Sequence, residues 1–287
     1  MQIEKTKEIG FCFGVKRALD LLGKAIRDYG EIETLGSVVH NQQVINNFSK
    51  LGVKIVENLD QLKGNVVVIP SHGVPPGVIE ELKARRFGII DTTCSVVQKA
   101  QMAAKKLSDE GFEVIVFGDP DHSEVKGMLG WAGGRGMATL DTEGVPNLDK
   151  LSHHLGFLAQ TTRNSALFAP FVNNFISSFL PQIKELRIIN TICAVTERRQ
   201  AAALQLARKV NLMIVVGGRN SANTRCLADI SSKATETHHV ETAAEIEEGW
   251  LKGKSRIGVT SGTSTSAQTI QEVMLKLEEI AGSANGA

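Results

Sequence analysis

Short apolar runs rich in β-branched residues alternate along the chain with helical stretches of roughly 12–18 residues, the pattern of βαβ units around largely parallel sheets. Strands are expected at Asn65–Pro70, Glu113–Gly118, Gly156–Ala159, Leu212–Gly217 and Arg256–Thr260, each apolar enough to be covered on both faces. The class expected is α/β. Each run gives way to a polar tip: Ser71-His72-Gly73, Asp121-His122-Ser123-Glu124, Gln160-Thr161-Thr162, Arg219-Asn220-Ser221 and Ser261-Gly262-Thr263-Ser264. Ligands of open parallel sheets bind outside the carboxyl ends of the strands, so five polar tips imply one or more polar pockets.

Composition narrows the partners. The chain has 287 residues, a formal net charge of +1 and 42% hydrophobic residues, which describes an ordinary globular protein. Nucleic-acid and anionic-membrane binders carry a basic excess, so neither is an expected partner. At roughly 100–200 residues per domain the length accommodates two or three domains. Cys12, Cys94, Cys193 and Cys226 are too sparse for a secreted disulfide framework and form no CxxC pair, which points to reduced thiols in a cytoplasm. The longest apolar runs, such as Val66–Ile69, Val114–Phe117 and Leu212–Val216, fall far short of the roughly 20 residues that span a bilayer. Met1 to Gly10 carries Glu4, Lys5, Lys7 and Glu8 where a signal peptide places an apolar stretch, so export is not expected.

Three of the four cysteines each open a helix-like stretch, at separations of 82 and 99 residues. FGVKRALDLLGKAI follows Cys12, SVVQKAQMAAKKL follows Cys94 and AVTERRQAAALQLARKV follows Cys193; a cation stands five positions beyond each, at Arg17, Lys99 and Arg198. With 32 basic residues in the chain the cations are within chance, and the shared placement at a helix start carries more. A helix amino terminus offers unsatisfied N–H donors and partial positive charge, which favours thiolate. Three pseudo-equivalent thiolates facing one centre are one reading. Three small buried hydrophobes are the other, and spacing alone gives them even weight. Zinc with a fourth histidine ligand is less attractive, because structural zinc sites draw on tight CxxC or HxxxH knuckles and none occurs. A [4Fe–4S] cluster with one open iron fits better, since the open iron accepts a substrate oxygen as a Lewis acid and passes electrons at the same place.

Histidines form a second constellation. His40 follows Thr34-Leu35-Gly36, His72 lies in PSHGVPP and His122 in DPDHSEV, each just past an expected strand. Imidazoles donate hydrogen bonds to phosphate, and Thr161, Ser221, Asn223 and Ser264 add neutral donors, which together read as an anion pocket. Any one of these histidines alone reads as a polar loop residue, and three on equivalent tips outweigh that. His153, His154, His238 and His239 lack such a tip and read as surface residues. Glu124, two residues from His122, is the candidate acid; the bland alternative is a solvated glutamate in a turn. His122-Ser123-Glu124 echoes the HxE of zinc deaminases, but the PCxxC that should come after it is missing. The glycines from Gly127 to Gly136 do not follow a strand in GxGxxG order, Glu248 stands where a Walker loop needs glycine, and Gly262–Ser266 lacks the closing glycine of a nucleophile elbow.

Eight segments run in order along almost the whole chain: Gly10-Phe11-Cys12-Phe13-Gly14-Val15, Val39-His40-Asn41, His72-Gly73-Val74, Asp91-Thr92-Thr93-Cys94, His122-Ser123-Glu124-Val125, Gln160-Thr161-Thr162, Thr191-Ile192-Cys193 and Asn220-Ser221-Ala222-Asn223. Each is weak singly; together they resemble the 4-hydroxy-3-methylbut-2-enyl diphosphate reductase family, iron–sulfur enzymes that end the non-mevalonate route to isoprenoid precursors. The resemblance implies three small α/β domains in a pseudo-threefold trefoil around a central cluster site. The divisions expected are residues 1–94, with Cys12 and the Cys94 boundary, 95–190, and 191–287, with Cys193 and the C-terminal segment. It implies Cys12, Cys94 and Cys193 as ligands of a [4Fe–4S] cluster, and His40, His72 and His122 as diphosphate-binding histidines. Glu124 matches the family's proton donor, Thr161 the threonine that contacts the substrate hydroxyl, and Ser221, Asn223 and Ser264 its diphosphate contacts. The implied reaction is reductive dehydroxylation of (E)-4-hydroxy-3-methylbut-2-enyl diphosphate to isopentenyl and dimethylallyl diphosphates. Electrons would come from a transient ferredoxin or flavodoxin.

Some positions depart from the family pattern. Ser95 and Ser123 stand where prolines are usual, which affects loop stiffness more than chemistry. Ala222 replaces a serine that contributes a hydroxyl to the diphosphate site, and Val195 and Gln101 replace the common Ala and His. Two other readings stand beside the reductase. One is an iron–sulfur electron carrier or sensor with Cys226 as fourth ligand; by the resemblance Cys226 only packs. The other is a relative that binds a phosphorylated ligand without reducing it, prompted by Ala222.

Overall fold

The computed structural model describes residues 1–142 and 153–283. In chain order its strands and α-helices are β1 (Gln2–Lys5), α1 (Phe13–Tyr29), β2 (Ile32–Leu35), α2 (Gln42–Lys50), β3 (Val53–Val56), β4 (Val66–Ile69), α3 (Pro76–Ala84), β5 (Gly88–Asp91), α4 (Ser95–Asp109), β6 (Glu113–Phe117), α5 (Ser123–Trp131), β7 (Gly136–Thr139), β8 (His154–Ala159), α6 (Ser165–Phe179), β9 (Glu185–Ile188), α7 (Ala194–Ala207), β10 (Leu212–Val216), α8 (Ala222–Ser232), β11 (Glu236–Val240), α9 (Glu248–Leu251), β12 (Arg256–Ser261) and α10 (Ala267–Ser283). The strands form three four-stranded sheets, and every pairing is parallel. The α/β class read from the sequence is therefore the class observed. By contacts the chain divides into two compact units, one of Met1–Lys16, Val39–Phe48 and Ala194–Ala287 with one sheet, the other of Arg17–Val38 and Ser49–Cys193 with two.

The three sheets share one wiring. Written from the strand that precedes a cysteine, their orders are β1-β12-β10-β11, β5-β4-β2-β3 and β9-β8-β6-β7. In the last two, the first two strands in chain order go to one side and the last two to the other; in the first, β10 and β11 go to one side and β12 and β1 to the other, so in each the strand order switches between the two central strands. In the first of these sheets the fourth strand is the chain's own beginning: β1 pairs with β12 in register Gln2↔Arg256. Residues 2–5 thus complete the sheet of the last third of the chain, rather than that of residues 32–91, with which the division at residue 94 grouped them.

Burial explains why these residues make these strands. Val114 and Val116 of β6 are buried toward Ala100, Ala104 and Leu107 of α4 and Val125 and Met128 of α5. Ile115 and Phe117 face the other way, onto Phe168, Phe171 and Phe175 of α6. Alternate side chains of a strand point to opposite faces, so a central strand with helices on both faces reads as an unbroken apolar run. β10 repeats this: Leu212, Ile214 and Val216 pack with Val273 and Leu277 of α10, while Met213 packs with Leu206 and Val215 with Ala203 and Leu227. Size matching recurs where the helix after each cysteine lies closest to its sheet. A Cβ on Gly156 would stand 2.6 Å from Leu107 Cδ1, and one on Gly258 would stand 2.9 Å from Leu206 Cγ. At the corresponding positions of the remaining sheet the sizes are exchanged, with Ala25 on α1 and Val68 on β4, both buried.

Candidate active site

A switch of strand order between parallel central strands leaves a crevice outside their carboxyl ends, the usual ligand place in such sheets. The site residues expected from the sequence follow those ends. β6 leads to His122 and Glu124, and β8 to Thr161; β10 leads to Ser221 and Asn223, and β12 to Ser264; β2 leads to His40, and β4 to His72.

In the larger unit the acid is held by the neighbouring tip. Glu124 sits in the first turn of α5, whose N-cap is His122, and the Glu124 amide donates to His122 Nδ1 at 3.2 Å. The Thr161 amide donates to Glu124 Oε1 at 2.7 Å and the Thr161 hydroxyl to Oε2 at 2.9 Å. Glu124 and Thr161 are only 3% and 4% exposed. Burial pushes the Glu124 carboxyl above the usual carboxylate range, against the opposing effect of the two Thr161 hydrogen bonds and the Arg163 cation. The solvated-turn alternative does not describe this residue. Thr161 also ties the acid to a cysteine, because its carbonyl accepts the Cys193 amide at 2.9 Å. In the same unit His72 is half-buried, with Nδ1 3.0 Å from the Gly73 carbonyl.

In the other unit the neutral donors follow the tips of β10 and β12. Ser221 caps α8 by accepting the Thr224 amide at 3.3 Å. Asn223, 2% exposed, has neither its Nδ2 nor its Oδ1 hydrogen-bonded. A buried amide without partners costs about 1–3 kcal/mol per unmet group, which a polar ligand would recover. The Ser264 hydroxyl donates to the His40 carbonyl at 3.2 Å, and the His40 loop lies so close that a Cβ on Gly218 would stand 2.7 Å from the same carbonyl. Burial, and then the Arg225 cation, hold the His40 imidazole below its ordinary pKa, so it is neutral at pH 7.

The cysteines occupy equivalent places. Cys12, Cys94 and Cys193 immediately precede α1, α4 and α7, all three are partly buried, and none is in a disulfide. The Cys12 amide donates to Thr263 O at 3.1 Å, that of Cys94 to Ser71 O at 2.9 Å and that of Cys193 to Thr161 O at 2.9 Å, each acceptor lying on the tip of the adjacent strand. Cys12 Sγ accepts the Val15 amide at 3.4 Å, at the start of α1. Thiolates so placed suit an iron–sulfur cluster in chemistry and exposure. Cys226 differs, standing within α8 with Sγ accepting Gln200 Nε2 at 3.3 Å. Among the described residues no three His, Cys, Asp or Glu side chains gather tightly enough for a single metal ion. A hollow of about 1040 Å³ lined by Tyr29, Ile32, Glu33, Lys54, Lys63 and Val66 lies at the amino ends of β2 and β4 and includes none of the site residues.

Some neighbours escaped the sequence reading. His153 and His154 are exposed as expected, but His238 and His239 are half-buried; His238 stacks on Trp250 with centroids 3.9 Å apart, and His239 Nε2 lies 2.8 Å from Gly217 O at the β10 tip. Asn41 caps α2 by accepting the Val44 amide at 3.2 Å. Buried Arg199 bonds the carbonyls of Gly10, Ser261 and Gly262. Its signal was a departure from the repeat, since α1 and α4 carry alanine at the same step from the cysteine. No described helix is long and apolar enough to cross a membrane.

Comparison with known proteins places this arrangement. A relative named 4-hydroxy-3-methylbut-2-enyl diphosphate reductase from Dehalococcoides mccartyi (strain CBDB1) is 49% identical over 284 residues, covering 99% of this chain and 100% of the relative. One of the same name from Geobacter sulfurreducens (strain ATCC 51573 / DSM 12127 / PCA) is 40% identical over 283 residues, covering 97% of this chain and 98% of its own. A solved structure of (E)-4-hydroxy-3-methyl-but-2-enyl diphosphate reductase, described as the terminal enzyme of the non-mevalonate pathway, superposes with a TM-score of 0.70 at 35% identity, covering 97% of this chain and 100% of that one. The E-1-hydroxy-2-methyl-but-2-enyl-4-diphosphate reductase of Plasmodium falciparum gives 0.88 at 25% identity, covering 96% and 87%. A family model described as LytB protein matches residues 3–278, and with relatives this similar over nearly their full lengths the chain belongs to that family of oxidoreductases.

Proposed function

We propose that the chain reductively dehydroxylates (E)-4-hydroxy-3-methylbut-2-enyl diphosphate to isopentenyl and dimethylallyl diphosphates in the non-mevalonate pathway. The observation that carries this reading is the buried Glu124–Thr161 pair, a carboxyl whose pKa burial raises, bonded to a threonine whose carbonyl holds the Cys193 amide. Cys12, Cys94 and Cys193 would hold a [4Fe–4S] cluster, one from each repeat. When bound, that cluster supplies two electrons, one at a time, and a Lewis-acidic iron for the substrate oxygen. Ser221, Asn223 and Ser264, with His40, His72 and His122, bind the diphosphate through hydrogen bonds, and neutral His40 serves as a donor. Glu124 stores a proton at Oε2. In the structure the Thr161 hydroxyl donates to Oε2. With the proton on Oε2 that contact reverses, Oε2–H donating to Thr161 Oγ1, and the threonine's own hydroxyl proton turns to the departing substrate hydroxyl, which leaves as water. Two electrons and two protons balance the loss of water from the alcohol. A transient ferredoxin or flavodoxin is the electron source in this reading, and a cytoplasm its compartment.

Anaerobically reconstituted protein is expected to turn over the hydroxylated diphosphate with an artificial reductant; a cluster-loaded sample inert in that assay would overturn the proposal. The electron-carrier reading requires Cys226 as a ligand. Its position inside α8 rather than before a helix, with Sγ accepting Gln200 Nε2, argues for packing instead. Cys226→Ser is therefore expected to keep its iron, while Cys12→Ser, Cys94→Ser and Cys193→Ser lose it, as read by iron and sulfide content.

A further inference from the structure

Counting from the cysteine that precedes each helix, the sixth position is Ala18 in α1, Ala100 in α4 and Arg199 in α7. All three are buried, at 0%, 0% and 3% exposure. Two repeats build the same helix, on the same kind of sheet, with alanine at this place, so the fold itself has no need of a long cationic side chain there. What Arg199 does is visible in its bonds. Nη2 donates to Gly10 O at 2.6 Å, and Nη1 to Ser261 O at 3.1 Å and Gly262 O at 3.2 Å. Gly10 stands two residues before Cys12, and Gly262 two residues before Ser264. The same two backbone segments meet twice more, where the Gly10 amide donates to Ser261 Oγ at 2.9 Å and the Cys12 amide to Thr263 O at 3.1 Å. A guanidinium is planar and permanently charged and presents its donors in a fixed fork, so one such side chain holds two strands of backbone in a set relation. The ammonium of lysine, a point charge on a flexible stem, lacks that fork.

We propose that Arg199 is a positioning residue that couples the Cys12 segment to the Ser264 loop, so that a single clamp sets the thiolate ligand and the diphosphate contact together. The coupling rests on the reductase reading for what Cys12 and Ser264 hold. Coupling between two ligands is reciprocal: occupancy of the diphosphate site steadies the Cys12 segment, and an intact cluster steadies the Ser264 loop. Neither effect requires turnover.

The test uses anaerobically reconstituted holoprotein and follows iron release to a colorimetric chelator, with and without saturating inorganic pyrophosphate. In the wild type pyrophosphate is expected to slow release about fivefold or more, within the usual range of coupling between sites. In Arg199→Ala, which copies the residue the other repeats use, the circular dichroism is expected to match wild type while the protection falls below about twofold. If R199A does not give a wild-type spectrum, Arg199→Lys decides: protection below about half the wild-type factor supports the clamp, and full protection overturns it. Wild-type protection retained in a folded R199A, or no protection in wild-type holoprotein, likewise overturns the coupling and leaves the reductase reading standing. Failure of the wild type to hold any cluster defeats the reductase reading, and the coupling with it.

Discussion

At the scale of single residues, the site keeps two groups in states that water would not choose. Burial raises the folded pKa of the Glu124 carboxyl above its unfolded one. Below the ordinary carboxylate pKa both folded and unfolded chains carry the proton. As pH rises through that value the unfolded chain ionises first, so stability falls until the folded pKa is passed. Glu124→Gln has no such dependence, and the melting temperature of the variant is expected to rise relative to wild type as pH is raised from about 4 to 8, in thermal scans. Turnover of the same variant should drop about 10²–10⁴-fold, and wild-type kcat/KM should decline as pH passes through the raised pKa. An E124Q protein with wild-type turnover would remove the acid from the reaction. Asn223 is the second case, buried with both amide atoms unmet. Asn223→Leu is expected to melt higher than wild type, yet to bind inorganic pyrophosphate about tenfold or more weakly in calorimetry, since a hydrogen bond to a charged group is worth about 1.5–3 kcal/mol. At this scale the sequence named the cysteines, histidines and Glu124 from their neighbours. It did not name Arg199, because an arginine in a helix rich in Glu197, Arg198 and Gln200 reads as part of a solvated face until its burial is known.

At the scale of elements, central strands were legible and edge strands were not, for one physical reason. β4, β6, β8 and β10 carry unbroken apolar runs, Val66–Ile69, Val114–Phe117, Leu155–Ala159 and Leu212–Val216, and β12 carries the shorter Ile257–Val259. β1, β5 and β9 show only partial burial along four residues, and nothing in QIEK, GIID or ELRI sets them apart from loop. β2 is central but reads IETL, with buried Glu33 accepting the amides of Lys63 and Gly64 at 2.9 Å each; such a partnership leaves no trace in local sequence. Packing between α4 and β8 gives a test at this scale. Leu107→Ala should cost about 2–5 kcal/mol, and Gly156→Val should cost about 1–3 kcal/mol by overpacking. The double variant, which adopts the exchange seen at Ala25 and Val68, should be more stable than the sum of the two, by about 0.5–3 kcal/mol of coupling in denaturant titrations. Additive losses would mean that the two side chains do not share one space.

At the scale of the whole molecule, the threefold repetition was legible in the spacing of cysteines, but the frame in which the strands are shared was not. Nothing local in Gln2–Lys5 says that it is a strand, still less that its neighbour is β12. The contact is anchored by Arg256 to Glu4 at 2.6 Å and by the Thr6 and Thr260 hydroxyls at 3.1 Å, across 254 positions of chain. Deleting residues 2–5 is expected to lower the melting temperature by at least about 4 °C, the shift that about 2 kcal/mol produces in a large domain. It should also reduce the iron retained on reconstitution, because the segment carrying Cys12 loses its rail. An unchanged melting temperature would show that the edge is dispensable.

The same closure fixes an order of events during translation. β1 has no partner in its sheet until residue 256 has been made, and pairings so distant in sequence form slowly. The segment that carries Cys12 therefore reaches its native surroundings only after β12 exists, and the cluster of the proposed function would be completed only after that.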